Sequence, residues 1–143
     1  MTDAAGRAQD DTAALLLDLQ NATWPATETR TLGEGAGRWQ LRWSGGGGQR
    51  VNSASPLGSD TAALRAVLPE VSAFYEARGD TALFQLFSGE RTEHLTRTLL
   101  DAGYALGIES VCLSARVDRL ADLAITPVKG PYLIEINTPL ARL

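Results

Sequence analysis

The chain has 143 residues, 13 basic and 17 acidic side chains for a formal charge of -4, and 44% hydrophobic residues. A chain of this length is expected to form one domain with a core of its own, since about 70% of the unfolded surface leaves water at this size. A single cysteine and a single histidine exclude a disulfide framework and a zinc centre built from imidazole and thiolate ligands. An acidic balance with no basic run gives no footprint for a phosphate backbone, so nucleic acid is not an expected partner.

The amino terminus carries Asp3 where a signal peptide would be basic, and the apolar run from Ala13 to Leu17 is too short for a secretory segment. No apolar stretch approaches the roughly 18 residues of a membrane span. Cytoplasm is the expected compartment, and no membrane partner is expected.

The first predicted element is a helix from about Asp10 to Asn21, within an N-terminal segment ending at residue 23. Leu15, Leu16, Leu19 and Ala22 form its stripe, Asp10 or Asp11 its cap, and Trp24-Pro25 its stop. Thr27 to Leu32 reads as a strand. Arg38 to Trp43 alternates strictly, with Trp39, Leu41 and Trp43 on one face. Gly33, Gly35 and Gly37 mark one turn, Gly45 to Gly48 another, and Gln49 to Ala54 reads as the return strand of a meander.

After Gly58 the period becomes 3.6. Leu64, Val67, Leu68, Val71, Phe74 and Tyr75 make a stripe with Asp60 as N-cap and Arg78-Gly79 as the end. Pro69 inside it predicts a kink or two helical pieces. Ala82 to Phe87 reads as a buried strand, and a helix opening at Ser88 carries Leu95, Thr98, Leu99 and Ala102 before Gly103. Ser110 to Ala115 is another buried strand, closing a core over residues 24–115. In residues 116–143, Tyr132, Ile134 and Ile136 suit a last strand. Thr138-Pro139 opens a helix that Leu143 cuts short, which fits either a longer parent chain or the frayed tail of a complete protein. The expected class is α+β, a mixed and mostly antiparallel sheet flanked by helices.

Few residues suggest chemistry. Gly45 to Gly48 lacks the Lys-Ser/Thr of a phosphate loop and joins two strands. His94 has no second imidazole for a metal, and a dyad with Cys112 conflicts with the buried strand expected around that thiol. Glu109 and Glu135 could act as bases only if buried together. Trp24, Trp39, Trp43, Phe74, Phe84 and Phe87 are expected in the core. Arg50, Asn52 and Ser53 are the candidate substrate-binding residues. In a regular strand Arg50 and Asn52 share one face, either the exposed half of a sheet or a polar cleft wall.

Taken together, Trp39-Gln40-Leu41-Arg42-Trp43-Ser44-Gly45-Gly46, Arg50-Val51-Asn52-Ser53-Ala54-Ser55-Pro56-Leu57 and Phe74-Tyr75-Glu76-Ala77-Arg78-Gly79 with Phe84-Gln85-Leu86 resemble the GNAT N-acetyltransferase superfamily. More closely they resemble the amino-terminal lobe of bacterial tandem GNAT proteins. The resemblance, over roughly Trp24 to Ala115, implies a GNAT-like mixed sheet and a parent protein that moves an acetyl group from acetyl-CoA to a small amine. In active GNAT lobes a Gln/Arg-x-x-Gly-x-Gly/Ala loop binds the CoA pyrophosphate at a helix start. Here the matching stretch, Pro56 to Ala63, has no second glycine and places Asp60 where the anion would sit. The position of the general-acid tyrosine is Leu99, and that of an asparagine ahead of it is Thr92. The resemblance therefore implies a degenerate acetyl-CoA site and no catalytic residue in this lobe, with a second GNAT lobe or a homodimer as partner. The alternative is a stand-alone small-ligand-binding or dimerisation module without transferase activity.

Overall fold

The computed structural model describes residues 4–58, 60, 62–87 and 90–110. The chain divides into two compact units, 1–104 and 105–143, and the fold below is that of the first. The expected segments at Ser110 to Ala115, Tyr132 to Ile136 and Thr138 to Leu143 lie at or beyond the end of the described residues.

The described elements are three helices and a three-stranded antiparallel sheet, an α+β fold. Helix α1 (Ala4–Thr23) leads into strands β1 (Glu28–Leu32), β2 (Trp39–Trp43) and β3 (Ala54–Pro56), then α2 (Leu64–Glu76) and α3 (Glu90–Asp101). The strands lie in the order β1-β2-β3, with Glu28 opposite Trp43, Leu32 opposite Trp39 and Leu41 opposite Ala54. Beside β3, Phe84 makes a parallel bridge to Ala54. Ala54 N–H donates to the Leu83 carbonyl (2.8 Å) and Gln85 N–H to the Ala54 carbonyl (2.9 Å). The strand expected over Ala82 to Phe87 is reduced to this single bridge.

The two faces of the sheet differ in chemistry. On one, Trp39, Leu41 and Ala54 pack with Leu64, Val67, Val71, Phe74 and Tyr75 of α2 and with Leu95 and Leu99 of α3. Trp39 and Phe84 meet edge to face, 5.7 Å between ring centroids. Each such large side chain, fully buried, stabilises the fold by about 1.5–3 kcal/mol. The opposite face carries Gln40, Arg42, Ser53, Ser55 and Gln85 at the alternate positions, and α1 meets it with Gln20 and Asn21.

Several sequence expectations are corrected here. Helix α1 begins at Ala4, not near Asp10. It buries Leu17 and Gln20, whereas Leu15 and Leu19 of the expected stripe are 57% and 54% exposed and Ala22 is exposed too. Trp24, expected in the core, is largely exposed. Residues Gln49–Val51 form a turn of 3-10 helix in place of the return strand, which begins only at Ala54. The physical reason is a preceding loop in which Gly45, Gly47 and Gly48 all take positive φ, a backbone path that closes into a tight turn and brings Asn52 back onto it. Helix α2 runs unbroken through Pro69. Both Pro69 and Arg65, whose carbonyl loses its partner, lie on the exposed side, where solvent can satisfy it. Gly79 and Gly103, at φ 72° and 93°, follow α2 and α3 as expected.

Candidate functional site

The loop after β2 is organised by one side chain. Asn52 Oδ1 accepts the Ser44 N–H (2.7 Å), and its Nδ2 donates to the carbonyls of Gly46 (2.8 Å) and Gly48 (2.7 Å). These bonds satisfy backbone groups that the positive-φ path of Gly45, Gly47 and Gly48 takes out of any strand ladder. The stapled loop, with Gln49, forms one wall of an open cleft of about 390 Å³, and the Asp80–Leu83 segment forms the other. The Asp80 carboxylate is held by the Trp43 indole N–H at 2.8 Å.

Arg50, Asn52 and Ser53 enter three different surroundings. The Arg50 guanidinium lies over the Trp24 ring, 5.4 Å from its centroid, on the surface. Asn52 borders the cleft, with its amide committed to the loop. Ser53 is 1% exposed and lies beneath α1, its hydroxyl donating to Gln85 Oε1 at 3.5 Å.

Beneath this loop lies Arg42, which sequence reasoning missed as an organising residue. It is 1% exposed. One arm of its guanidinium donates to the Arg50 carbonyl (2.7 Å), and the other to the Trp24 carbonyl. Tyr75 Oη donates to the Arg42 carbonyl at 3.0 Å. One residue thereby ties the exit of α1, the 3-10 turn and α2 to the middle strand. Burial lowers the Arg42 pKa from its ordinary value and pushes the Tyr75 phenol up to about 12. The one available signal was the alternation that puts Arg42 on the face of Gln40, away from Trp39 and Leu41.

At the start of α2, Asp60 Oδ1 accepts the Ala62 N–H at 3.0 Å, and Asp60 N–H donates to the Ala36 carbonyl at 2.9 Å. The helix cap itself is Ala63, whose side chain makes no capping bond, so Asp60 is not the N-cap expected of it and lies about one turn ahead of the cap. The β1–β2 turn presses on this region. A Cβ on Gly58 would fall 2.0 Å from the Ala36 carbonyl oxygen, and one on Gly37 would fall 2.8 Å from Ala63 Cβ. Leu99 is part of the core. Tyr104 Oη lies 3.1 Å from Ser72 Oγ. His94 and Glu109 are exposed, and Cys112 and Glu135 lie outside the described residues. Among the described residues no three His, Cys, Asp or Glu side chains form a group that could hold a metal, and no helix is long and apolar enough to cross a membrane.

A family model described as "Probable histone acetyltransferase Rv0428c C-terminal" matches residues 17–106, more than half of the chain. The chain belongs to this family. The match to this acetyltransferase-related family takes in the buried end of α1, the whole sheet, α2 and α3. No curated protein and no solved structure matches the chain.

Proposed function

We propose that this member of the family is a GNAT-like lobe of an N-acetyltransferase with a degenerate acetyl-CoA site, acting as the non-catalytic half of a tandem enzyme. The observation that carries this reading is the start of α2. A helix start binds a pyrophosphate with free amides and a positive end. Here the Asp60 carboxylate accepts the Ala62 amide in the turn just ahead of the helix, and its charge repels a phosphate brought toward the helix start. The close approach of Gly58 to Ala36 also brings the β1–β2 turn against the loop leading to α2. Both features support the reading that a pyrophosphate is poorly accommodated at this helix start.

A partner lobe, or a second copy, completes the enzyme in this reading and supplies the reacting groups for a small amine acceptor. The outward Leu15, Leu19 and Trp24 support it, because a contact between lobes requires apolar surface of this kind. Calorimetric titration of the 143-residue chain with acetyl-CoA at low salt, where a phosphate site is strongest, tests the proposal. The expected result is no binding up to millimolar ligand. Micromolar binding overturns it and makes this chain a cofactor-binding lobe in its own right.

A further inference from the structure

Helix α1 is docked the wrong way round for a helix held by hydrophobic burial. Its two large leucines at positions 15 and 19 face outward, and of its leucines only Leu17 is buried. Beside the buried Leu17 and the half-buried Leu16, the contacts with the sheet are made by amides. Gln20 and Gln85 exchange two hydrogen bonds, each 2.8 Å, and Asn21 Nδ2 donates to Gln40 Oε1 at 2.9 Å. The sheet side of the contact is equally polar, with Ser53 and Ser55 both 1% exposed. Even with α1 in place the layer is not fully paired, since Asn21 Oδ1 and Ser55 Oγ are buried without a hydrogen-bond partner.

Such an interface costs little to open. Separation exchanges amide–amide bonds for amide–water bonds and gives two unsatisfied atoms the partners they lack. Among the described residues the apolar side chains that opening wets are Leu17 and the half-buried Leu16, because the hydrophobic cluster lies on the other face of the sheet and includes no described residue of α1. The exit of the helix, by contrast, is pinned. The Trp24 carbonyl is held by the buried Arg42 guanidinium, the Trp24 ring lies under Arg50, and Pro25 follows.

We propose that α1 is a hinged cover, which opens as a unit about Thr23–Pro25 and uncovers a polar sheet face made of Gln40, Ser53, Ser55 and Gln85. The Gln20–Gln85 pair is its clasp. Ser53, sealed when the cover is closed, meets solvent or a ligand only when it opens. This inference is independent of the reading of the α2 start and stands whether or not the chain binds acetyl-CoA.

Native-state hydrogen exchange followed by mass spectrometry tests it on the intact chain. Amides over residues 14–22 are expected to exchange with one common protection, at least about 100-fold weaker than that over residues 67–76 of α2. Gln85→Ala is expected to weaken protection in α1 by about tenfold, as loss of a paired hydrogen bond implies, and to leave α2 unchanged. Equal protection in the two helices overturns the proposal. So does a protection that climbs steadily from residue 14 to residue 22, which is end-fraying. A Gln85→Ala effect shared equally by α1 and α2, or no effect in α1, overturns the clasp and with it the cover.

Discussion

Glu28 and Arg78 join the first strand to the end of α2 through a two-armed ion pair. Arg78 Nε donates to Glu28 Oε2 at 2.9 Å and Nη2 to Oε1, while the guanidinium lies 3.7 Å from the centroid of the Phe74 ring. The hydrogen bond from Arg78, more than simple charge attraction, holds the Glu28 carboxyl below its usual pKa. A depressed pKa in the folded state means that the unfolded chain binds the proton first. The stabilisation is therefore complete above the ordinary glutamate value of about 4.3 and is lost as the pH falls through the folded pKa. Urea unfolding of wild type and Glu28→Gln between neutral pH and about pH 3 is expected to show a gap that closes toward acid. A gap independent of pH would mean that the contact works by packing alone. Arg42 shows the limit of sequence reasoning at this scale. Its place in a strict alternation fixed its face, but a polar face reads as solvated, and only the tertiary arrangement shows that the Trp24 and Arg50 carbonyls close over it.

The elements whose period was unbroken were legible in the sequence. Strand β2 and helices α2 and α3 lie where alternation and the 3.6-residue stripe placed them, because one face of each is buried in a single apolar cluster. Helix α1 was located but read with the wrong face. Counting leucines selected Leu15 and Leu19, and nothing local reveals that the opposing surface is a layer of amides and hydroxyls with which Gln20 pairs. The segment from Gln49 to Ser53 failed for a different reason, since its path is set by the Asn52 side chain and not by the strand propensity of its residues. Near the start of α2, Asp60 was legible as an acidic residue ahead of the helix, whereas the contact between Gly58 and Ala36, 22 positions apart, was not. That contact gives a test at the level of the loop. Gly58→Ala drives a methyl into a backbone oxygen 2.0 Å away and is expected to lower the stability by about 1–3 kcal/mol. Gly46→Ala, with no atom within 4 Å of the added methyl, is expected to change it by less than about 0.5 kcal/mol. Paired urea titrations check both, and equal effects would show that the β1–β2 turn does not bear on the loop before α2.

At the scale of the molecule, membership of an acetyltransferase-related family and an α+β fold are settled together, since the match spans the sheet and both helices of its apolar side. The two chemistries of that sheet also order events in time. Contacts on the apolar face link residues from Leu32 to Leu99 and supply most of the driving force, whereas the amide layer joins Gln20 to Gln85, 65 positions away, for a small return. The folding transition state is then expected to hold β2, β3 and α2 together while α1 is still undocked. In stopped-flow kinetics Val71→Ala should slow folding, and Gln85→Ala should speed unfolding while leaving the folding rate nearly unchanged. Slowed folding in Gln85→Ala would place α1 in the nucleus. The helix first in sequence is thus the last to arrive and the first to leave, and during synthesis it waits for Gln85 to emerge before it has anything to clasp.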